Sequence, residues 1–479
     1  MAESAEAART PHRLARRRSP VSEEEAGRRR EGQTEHLGQQ AMDLSRFYAG
    51  KIETVPKVPV RSMHDFSIWY TPGVAEVSRA IHRDPELAFE LTGRWNTVAI
   101  LTDGSRVLGL GDIGPRAALP VMEGKALLFK FLGGVDAIPV PIQVKTPDEF
   151  LSTAEALAPA FGGINLEDIA SPKCFAILQE LSKRLEIPVW HDDQLGTAAA
   201  TVAGMLNALH VTGRELKGAR TVLFGSGAAN IATARLLLSM GQDPAKLTLV
   251  DHKGILHAER QDVDELSVRH PWKYRLALLT NGGGRSGQLP QAVEEADVLV
   301  AASTPGPGTI RPEHIRAMAP HPIVFALANP LPEIWPDAAK AAGAAIVATG
   351  RSDFPNQVNN SLVFPAVFRG VLDARARSMP DEIVIAAARE LARGAERKGV
   401  NAHHILPTME EMEVFPTMAA AVADTAVSLG IARRKHTHEE FLERAQHLMA
   451  RSPRLVRALA QAHLTAPMPR GPIGDRRSV

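Results

Sequence analysis

A single cysteine, Cys174, stands among the 479 residues, and that scarcity excludes an internal disulfide framework. A lone thiol fits a reducing compartment, so a cytoplasmic setting is expected, with Cys174 itself a small apolar core residue. No apolar run approaches the roughly 18 residues that a membrane-spanning helix requires. The early arginine runs LARRRS and GRRREG have no apolar stretch behind them, which argues against a secretory signal. An excess of one charge is lacking too: 55 Lys and Arg face 54 Asp and Glu, and no nucleic-acid motif follows the basic arm. Neither nucleic acid nor a membrane is an expected partner.

The remaining composition, 44% hydrophobic and 23% charged, is that of a globular chain long enough for two or three domains. Residues 1–40 hold almost no apolar clusters and are expected to form a disordered basic arm. We expect an N-terminal α/β domain over residues 41–195 and a second α/β domain over 196–435. A C-terminal helix and frayed tail should fill 436–479, where HEEFLERAQHLMARSPRLVRALAQAH carries the helical pattern.

From about residue 220, short apolar runs alternate with helical patterns: TVLF, AANIATARLLLSM, KLTLV, QAVEEA, DVLVAAS, PEHIRAMA, PIVFALA, AAKAAG, AAIVAT. That alternation predicts α/β architecture, a doubly wound parallel sheet of Rossmann-like type. Ligands bind such sheets at the strands' carboxyl ends, where Gly225-Ser226-Gly227, Asp251, Ser303-Thr304, Asn329-Pro330 and Gly350-Arg351 stand.

Two stretches compete for the dinucleotide fingerprint. GLGDIG at 109–114 matches G-x-G-x-x-G, whereas GSGAAN at 225–230 ends in Asn230. Pro115 and Pro120 follow the first, and its helix is expected to begin only near Val121, too late to place an N-terminus under a pyrophosphate. The second runs straight from strand to loop to helix, and the next strand ends in Asp251, near the spacing of about 20 residues at which an acid holds the adenosine ribose. We therefore assign the cofactor to Gly225, Ser226, Gly227, Ala228 and Asp251. Asn230 in place of the third glycine implies a wider approach of helix to strand. Asp251 favours NAD, while Lys253 stands close enough to meet a 2′-phosphate, so the choice between NAD and NADP stays open.

Two carboxylate clusters stand at breaks between apolar segments: Glu167-Asp168 in GGINLEDI and Asp192-Asp193 in IPVWHDDQLGTA. Gathered like charges repel unless a cation joins them, which points to a divalent metal. The competing reading is helix capping, since an acid before QLGTAAATVAGMLNAL suits a helix N-terminus. Lys125 in VMEGKALLFKFLGG lies near the start of an apolar helix, where dipole and desolvation would lower its pKa as a general base requires. Tyr70, one of only three tyrosines, precedes a Thr-Pro-Gly turn, and alone it reads as a packing residue.

Taken in order, YTPGVAE, TDGSRVLGLGDIGPRAALPVMEGKALLF, FGGINLEDI, HDDQLGTA, PIVFALANPLPEI and ATGRSDFPNQVNNSLVFPAVFRG resemble the bacterial form of the malic enzyme family, over roughly residues 40 to 435. The resemblance implies oxidative decarboxylation of L-malate to pyruvate and carbon dioxide with NAD or NADP and Mg²⁺ or Mn²⁺. It implies Tyr70 as general acid, Lys125 as general base and Glu167, Asp168 and Asp193 as metal ligands, leaving Asp192 to cap or brace the following helix. It further implies Arg106 as a malate carboxylate ligand and Asn329, Asn359 and Asn360 as amides holding substrate near the nicotinamide, with Asn329 also touching the cofactor. A homodimer or higher homo-oligomer is implied as well, and FSIWYTPGV is an apolar segment suited to such a contact.

Three positions depart from the family's usual residues: Leu195 within HDDQLGTA, Asn230, and Lys145 in PIQVKTPDE. Two other readings stay open, a malolactic enzyme that retains the reduced cofactor and a non-catalytic NAD(P)-binding sensor.

Overall fold

The computed structural model describes residues 23–469. They fall into two units, one gathering the described parts of Met1–Lys51 and Thr465–Val479, the other Ile52–Leu464. In the first, Glu23–Tyr48 is one helix, and the Tyr48 hydroxyl donates to the Ala466 carbonyl at 3.1 Å. This corrects the expectation of disorder up to residue 40, although residues 1–22 of that arm lie outside the described residues. The segment is rich in Glu, Arg and Gln, all strong helix formers, and its few apolar residues signal the lack of a core rather than the lack of a helix.

The second unit contains two sheets. The strands of the first are β1 (Thr97–Thr102), β2 (Asp136–Pro141), β3 (Gly163–Leu166) and β4 (Val189–His191), all parallel in the order β2-β1-β3-β4. TVAILT, apolar along most of its length, takes an inner place with its last five residues buried. DAIPVP carries Pro139 and Pro141, which cannot donate to a ladder, and it lies at the edge where that costs least. The register pairs Leu101 with Leu166 and Leu166 with His191, so the residues that follow β1, β3 and β4 emerge side by side.

Between β1 and β2 runs the helix Gly114–Gly133. It starts seven residues before the expected Val121, because Pro115 occupies the first turn, where a missing N–H is harmless. Pro120 is accommodated inside the same helix. The GLGDIG loop thus does lead into a helix, yet from the first sheet rather than the doubly wound one.

The second sheet is built from β5 (Thr221–Phe224), β6 (Leu247–Asp251), β7 (Gly254–Ile255), β8 (Val298–Ala301), β9 (Ile323–Ala326) and β10 (Ile346–Thr349) in the order β10-β9-β8-β5-β6-β7. All neighbours are parallel except β7, which pairs antiparallel with β6. The strand order reverses between β5 and β8, which opens a crevice at their carboxyl ends.

The predicted run of strands and helices from TVLF onward is reproduced in order; the two-residue β7 and the helices Val263–Arg269 and Pro271–Leu279 that follow it go unread. After β10 the helix Phe364–Asp373, buried along its whole length, returns to the first sheet. There Phe364 and Phe368 pack on Phe129 of the Gly114–Gly133 helix, with ring centroids 4.6 and 5.2 Å apart. One core runs from Val98 through Leu223 to Phe368, so both sheets rest on shared apolar packing. No helix among the described residues is long and apolar enough to cross a membrane.

Candidate active site

The carboxyl ends of β3 and β4 deliver the acids. Glu167 continues β3, its N–H donating to the Leu101 carbonyl at 3.0 Å, and its Oε2 accepts from Asn165 Nδ2 at 2.9 Å. Asp168 then turns into the left-handed region at φ 53°, which redirects its side chain and lets its N–H donate to Asp193 Oδ2 at 3.0 Å. After β4 the chain makes one turn of π-helix over Asp192–Gly196 before the helix Thr197–Val211. Gly196 is required there, since a Cβ would stand 2.1 Å from Asp192 Oδ1.

Lys125 reaches these acids from the helix Gly114–Gly133. Its Nζ lies 2.7 Å from Glu167 Oε1 and in direct contact with Asp192 Oδ2, while Asp192 Oδ1 accepts from Trp190 Nε1 at 2.9 Å. Asp192 therefore braces Lys125 and caps nothing, which corrects its expected place at the helix start. Burial works against the ammonium, but Asp192 and Glu167, joined by Asp193, outweigh it and hold Lys125 above its ordinary value. The expected direction was the reverse: the partners that decide it arrive more than forty residues downstream.

Glu167, Asp168 and Asp193 offer carboxylate oxygens that all lie within 4.8 Å of one another. Burial raises the carboxyl of Glu167, against the opposing pull of Lys125. Burial, with Asp193 adding repulsion, pushes Asp168 up to about 7. Asp168 Oδ2 is buried without a hydrogen-bond partner, and an all-carboxylate donor set suits a hard divalent cation such as Mg²⁺ or Mn²⁺. The residues present fit a metal.

Other predicted residues stand around this cluster. The loop after β1 is tied to it, the Arg106 N–H donating to the Asp168 carbonyl at 3.0 Å, and the exposed Arg106 guanidinium makes no ion pair among the described residues. Gly109 in the same loop abuts the second sheet, where an added Cβ would stand 3.2 Å from the Asn329 carbonyl. Asn329 follows β9, with its amide over Gly350. Asn360 packs against Gly196, and Asn359 Oδ1 accepts from the Ser361 N–H at 2.9 Å. Tyr70 is not brought in: it is 69% exposed at the end of the helix Asp65–Trp69, beside the exposed Met63, Phe66, Ile68 and Trp69.

At the switch point, β5 passes into Gly225, whose φ of 91° and closeness to β8 leave no room for a side chain, since a Cβ would stand 2.3 Å from the Ala302 carbonyl. Gly227 leads the helix Ala228–Ser239 with no side-chain cap, and nothing lies within 4 Å of where its Cβ would be. Ser226 Oγ is buried and unpartnered. An open cradle beneath uncapped helix N–H groups fits a pyrophosphate. Asn230 fastens helix to sheet, its Nδ2 donating to the carbonyls of Phe224 at 3.0 Å and Gly225 at 2.8 Å. Leu195 is buried in the core and Lys145 is exposed.

Sequence reasoning overlooked Glu333. Fully buried, it accepts from the Ser303 N–H at 2.8 Å, the Ser303 hydroxyl at 3.1 Å and the Ala328 N–H at 3.1 Å, tying the ends of β8 and β9 together. Its position four residues past Asn329 at a ligand-bearing strand end was the available signal.

A dinucleotide crevice joined to a buried carboxylate and lysine centre defines a nicotinamide-dependent oxidoreductase with a divalent-metal site. Residues 49–182 match the family described as malic enzyme, N-terminal domain, and residues 195–427 match malic enzyme, NAD binding domain. An NAD-dependent malic enzyme of Geobacillus stearothermophilus is 46% identical over 80% of this chain and 78% of its own length. An NADP-dependent malic enzyme of Halomonas elongata is 43% identical over 81% of this chain and 92% of its own. The crystal structure of Entamoeba histolytica malic enzyme superposes with a TM-score of 0.89 at 40% identity, covering 93% of this chain and 92% of that one. The chain belongs to the malic enzyme family.

Proposed function

We propose that this chain oxidatively decarboxylates L-malate to pyruvate and carbon dioxide while reducing NAD or NADP. The observation that carries the reading is Lys125 held between Glu167 and Asp192, beside three clustered carboxylates, under a loop that touches the Asn329 turn of the dinucleotide sheet.

Glu167, Asp168 and Asp193 would hold Mg²⁺ or Mn²⁺. Bound there, the ion supplies positive charge that stabilises the electron density developing on the substrate oxygens as carbon dioxide leaves. Lys125 as the neutral amine takes the C2 hydroxyl proton, with Asp192 and Glu167 in contact to orient its Nζ and stabilise the ammonium that forms. Arg106 offers a free guanidinium to a substrate carboxylate. Asn329, Asn359 and Asn360 orient malate through their amides, and Tyr70 returns a proton to C3. Gly225, Ser226, Gly227 and Ala228 cradle the pyrophosphate, and Asp251 accepts from the adenosine ribose.

A second copy of the chain would cover the exposed apolar face from Met63 to Tyr70, making a homodimer or higher homo-oligomer and withdrawing Tyr70 from water. The setting proposed is cytoplasmic, consistent with a single buried thiol.

Initial rates of absorbance at 340 nm with malate, Mn²⁺ and either NAD or NADP test the reading, with a metal-free control. Malate- and metal-dependent growth of absorbance is expected. Lactate formed without net reduced cofactor would assign a malolactic enzyme instead, and a flat malate titration would remove catalysis altogether.

A further inference from the structure

We infer that the dinucleotide site is built for NAD, and that Asp262 sets this preference by holding Lys253 and Arg260 away from a 2′-phosphate. The inference rests on the proposed function and narrows it to one cofactor.

Asp251 ends β6, where a Rossmann-like sheet meets the adenosine ribose. Its carboxylate is buried and fully engaged from its inner side. Oδ1 accepts from the Lys253 N–H at 2.9 Å and from Arg260 Nη1 at 2.8 Å, while Oδ2 accepts from Arg260 Nη2 at 3.1 Å and pairs with Lys273 at 3.5 Å. The same guanidinium turns its other edge to Asp262, Nε donating to Oδ1 at 2.5 Å and Nη2 to Oδ2 at 3.1 Å. Lys253, the residue best placed in sequence to meet a phosphate, instead lies 2.9 Å from Asp262 and 3.7 Å from Glu265. Arg269 closes the set on Glu265 at 2.9 Å.

Each cation of this corner thus already has a carboxylate within 3.5 Å. A 2′-phosphate would bring roughly −1.5 to −2 charges toward Asp251 and would have to displace Asp262 from Arg260 and Lys253 to find a counter-ion. A 2′-hydroxyl requires no such rearrangement, because Oδ2 accepts a single hydrogen bond, from Arg260, and keeps a lone pair for one more donor. Specificity here comes from withholding cations as much as from offering an acceptor.

The test is equilibrium binding of NADH and NADPH to the full chain, read by the fluorescence of the nicotinamide. The parent should bind NADH at least about tenfold more tightly than NADPH. Asp262→Asn, which removes one of the two carboxylates on Arg260 and the nearer of the two on Lys253, should tighten NADPH by about tenfold while moving NADH by less than about threefold. Glu265→Gln, at a half-exposed position that the fold tolerates, should shift NADPH in the same direction by a smaller factor. A parent that binds NADPH as tightly as NADH overturns the inference and leaves the proposed function standing. Failure of both variants to favour NADPH does the same, whereas failure of the parent to bind either nucleotide removes the proposed function and this inference with it.

Discussion

Replacing Asp193 by Ala perturbs the metal centre in a way that separates metal ligation from mere structural acidity. Asp193 shares a 4.8 Å space with Glu167 and Asp168, and two ionised carboxylates at that separation repel by roughly 3–4 kcal/mol at an effective dielectric constant of about 20. Three features reduce the relief expected on removal. The Asp193 side chain is 36% exposed, Asp168 is pushed up to about 7 and so carries part of a proton at neutrality, and the Asp168 N–H would lose its acceptor. In metal-free buffer the variant should therefore be more stable than the parent by about 1–2 kcal/mol. With Mn²⁺ at about a hundred times its dissociation constant, the parent should gain about 2.7 kcal/mol and the variant far less. The order of the two melting temperatures then inverts on adding metal, which a thermal-shift titration with a chelator control reads directly. A variant that melts lower than the parent without metal, yet keeps the full Mn²⁺ shift, would refute the reasoning and take Asp193 out of the ligand set.

Other substitutions probe the remaining roles. Lys125→Met leaves Glu167 and Asp192 buried without a counter-ion, so metal-free stability should fall by about 3–5 kcal/mol in a denaturant titration and turnover should vanish; an unaltered midpoint would contradict the ion-pair account. Tyr70→Phe should keep the Mn²⁺ shift and dinucleotide binding while kcat drops by about 10²–10⁴-fold, and a full kcat would end the general-acid assignment. Gly225→Ala forces a Cβ against the Ala302 carbonyl at a positive φ, so it should cost more than about 1 kcal/mol of stability and weaken NADH binding measurably; a neutral outcome would argue that the crevice is looser than the backbone indicates.

The doubly wound sheet was legible because its strands are buried on both faces, so TVLF, KLTLV and DVLVAAS read as uninterrupted apolar runs between helical patterns. The loop at Gly225 follows a strand of the doubly wound sheet and GLGDIG a strand of the first, yet one argument for preferring the former fails. Pro115 starts a helix as readily as it breaks one, and only the sheet to which a loop belongs distinguishes the two.

Charges were harder to read, because their partners are distant in sequence. Lys125 was expected to be depressed by its own helix, and its real environment is set by Glu167 and Asp192. Asp251 was visible as a strand-end acid, but nothing in KLTLV announces Arg260 on one side of it and Lys273 on the other. Asn230 looked like a packing defect from the fingerprint alone, whereas its amide donates to the Phe224 and Gly225 carbonyls and ties the helix to the turn. The helix Glu23–Tyr48 shows the opposite error, a low apolar content mistaken for a lack of secondary structure.

The central claim is that Lys125 and the Glu167, Asp168 and Asp193 carboxylates form one reaction centre for malate. Its most direct test measures pyruvate, carbon dioxide and reduced nicotinamide together in a single malate reaction, with the parent and Asp193→Ala each run with and without Mn²⁺. The account predicts equal amounts of the three products from the parent only when Mn²⁺ is present, and none from the variant. Equal turnover by the variant, or reduction of the nicotinamide by the parent without metal, would contradict it.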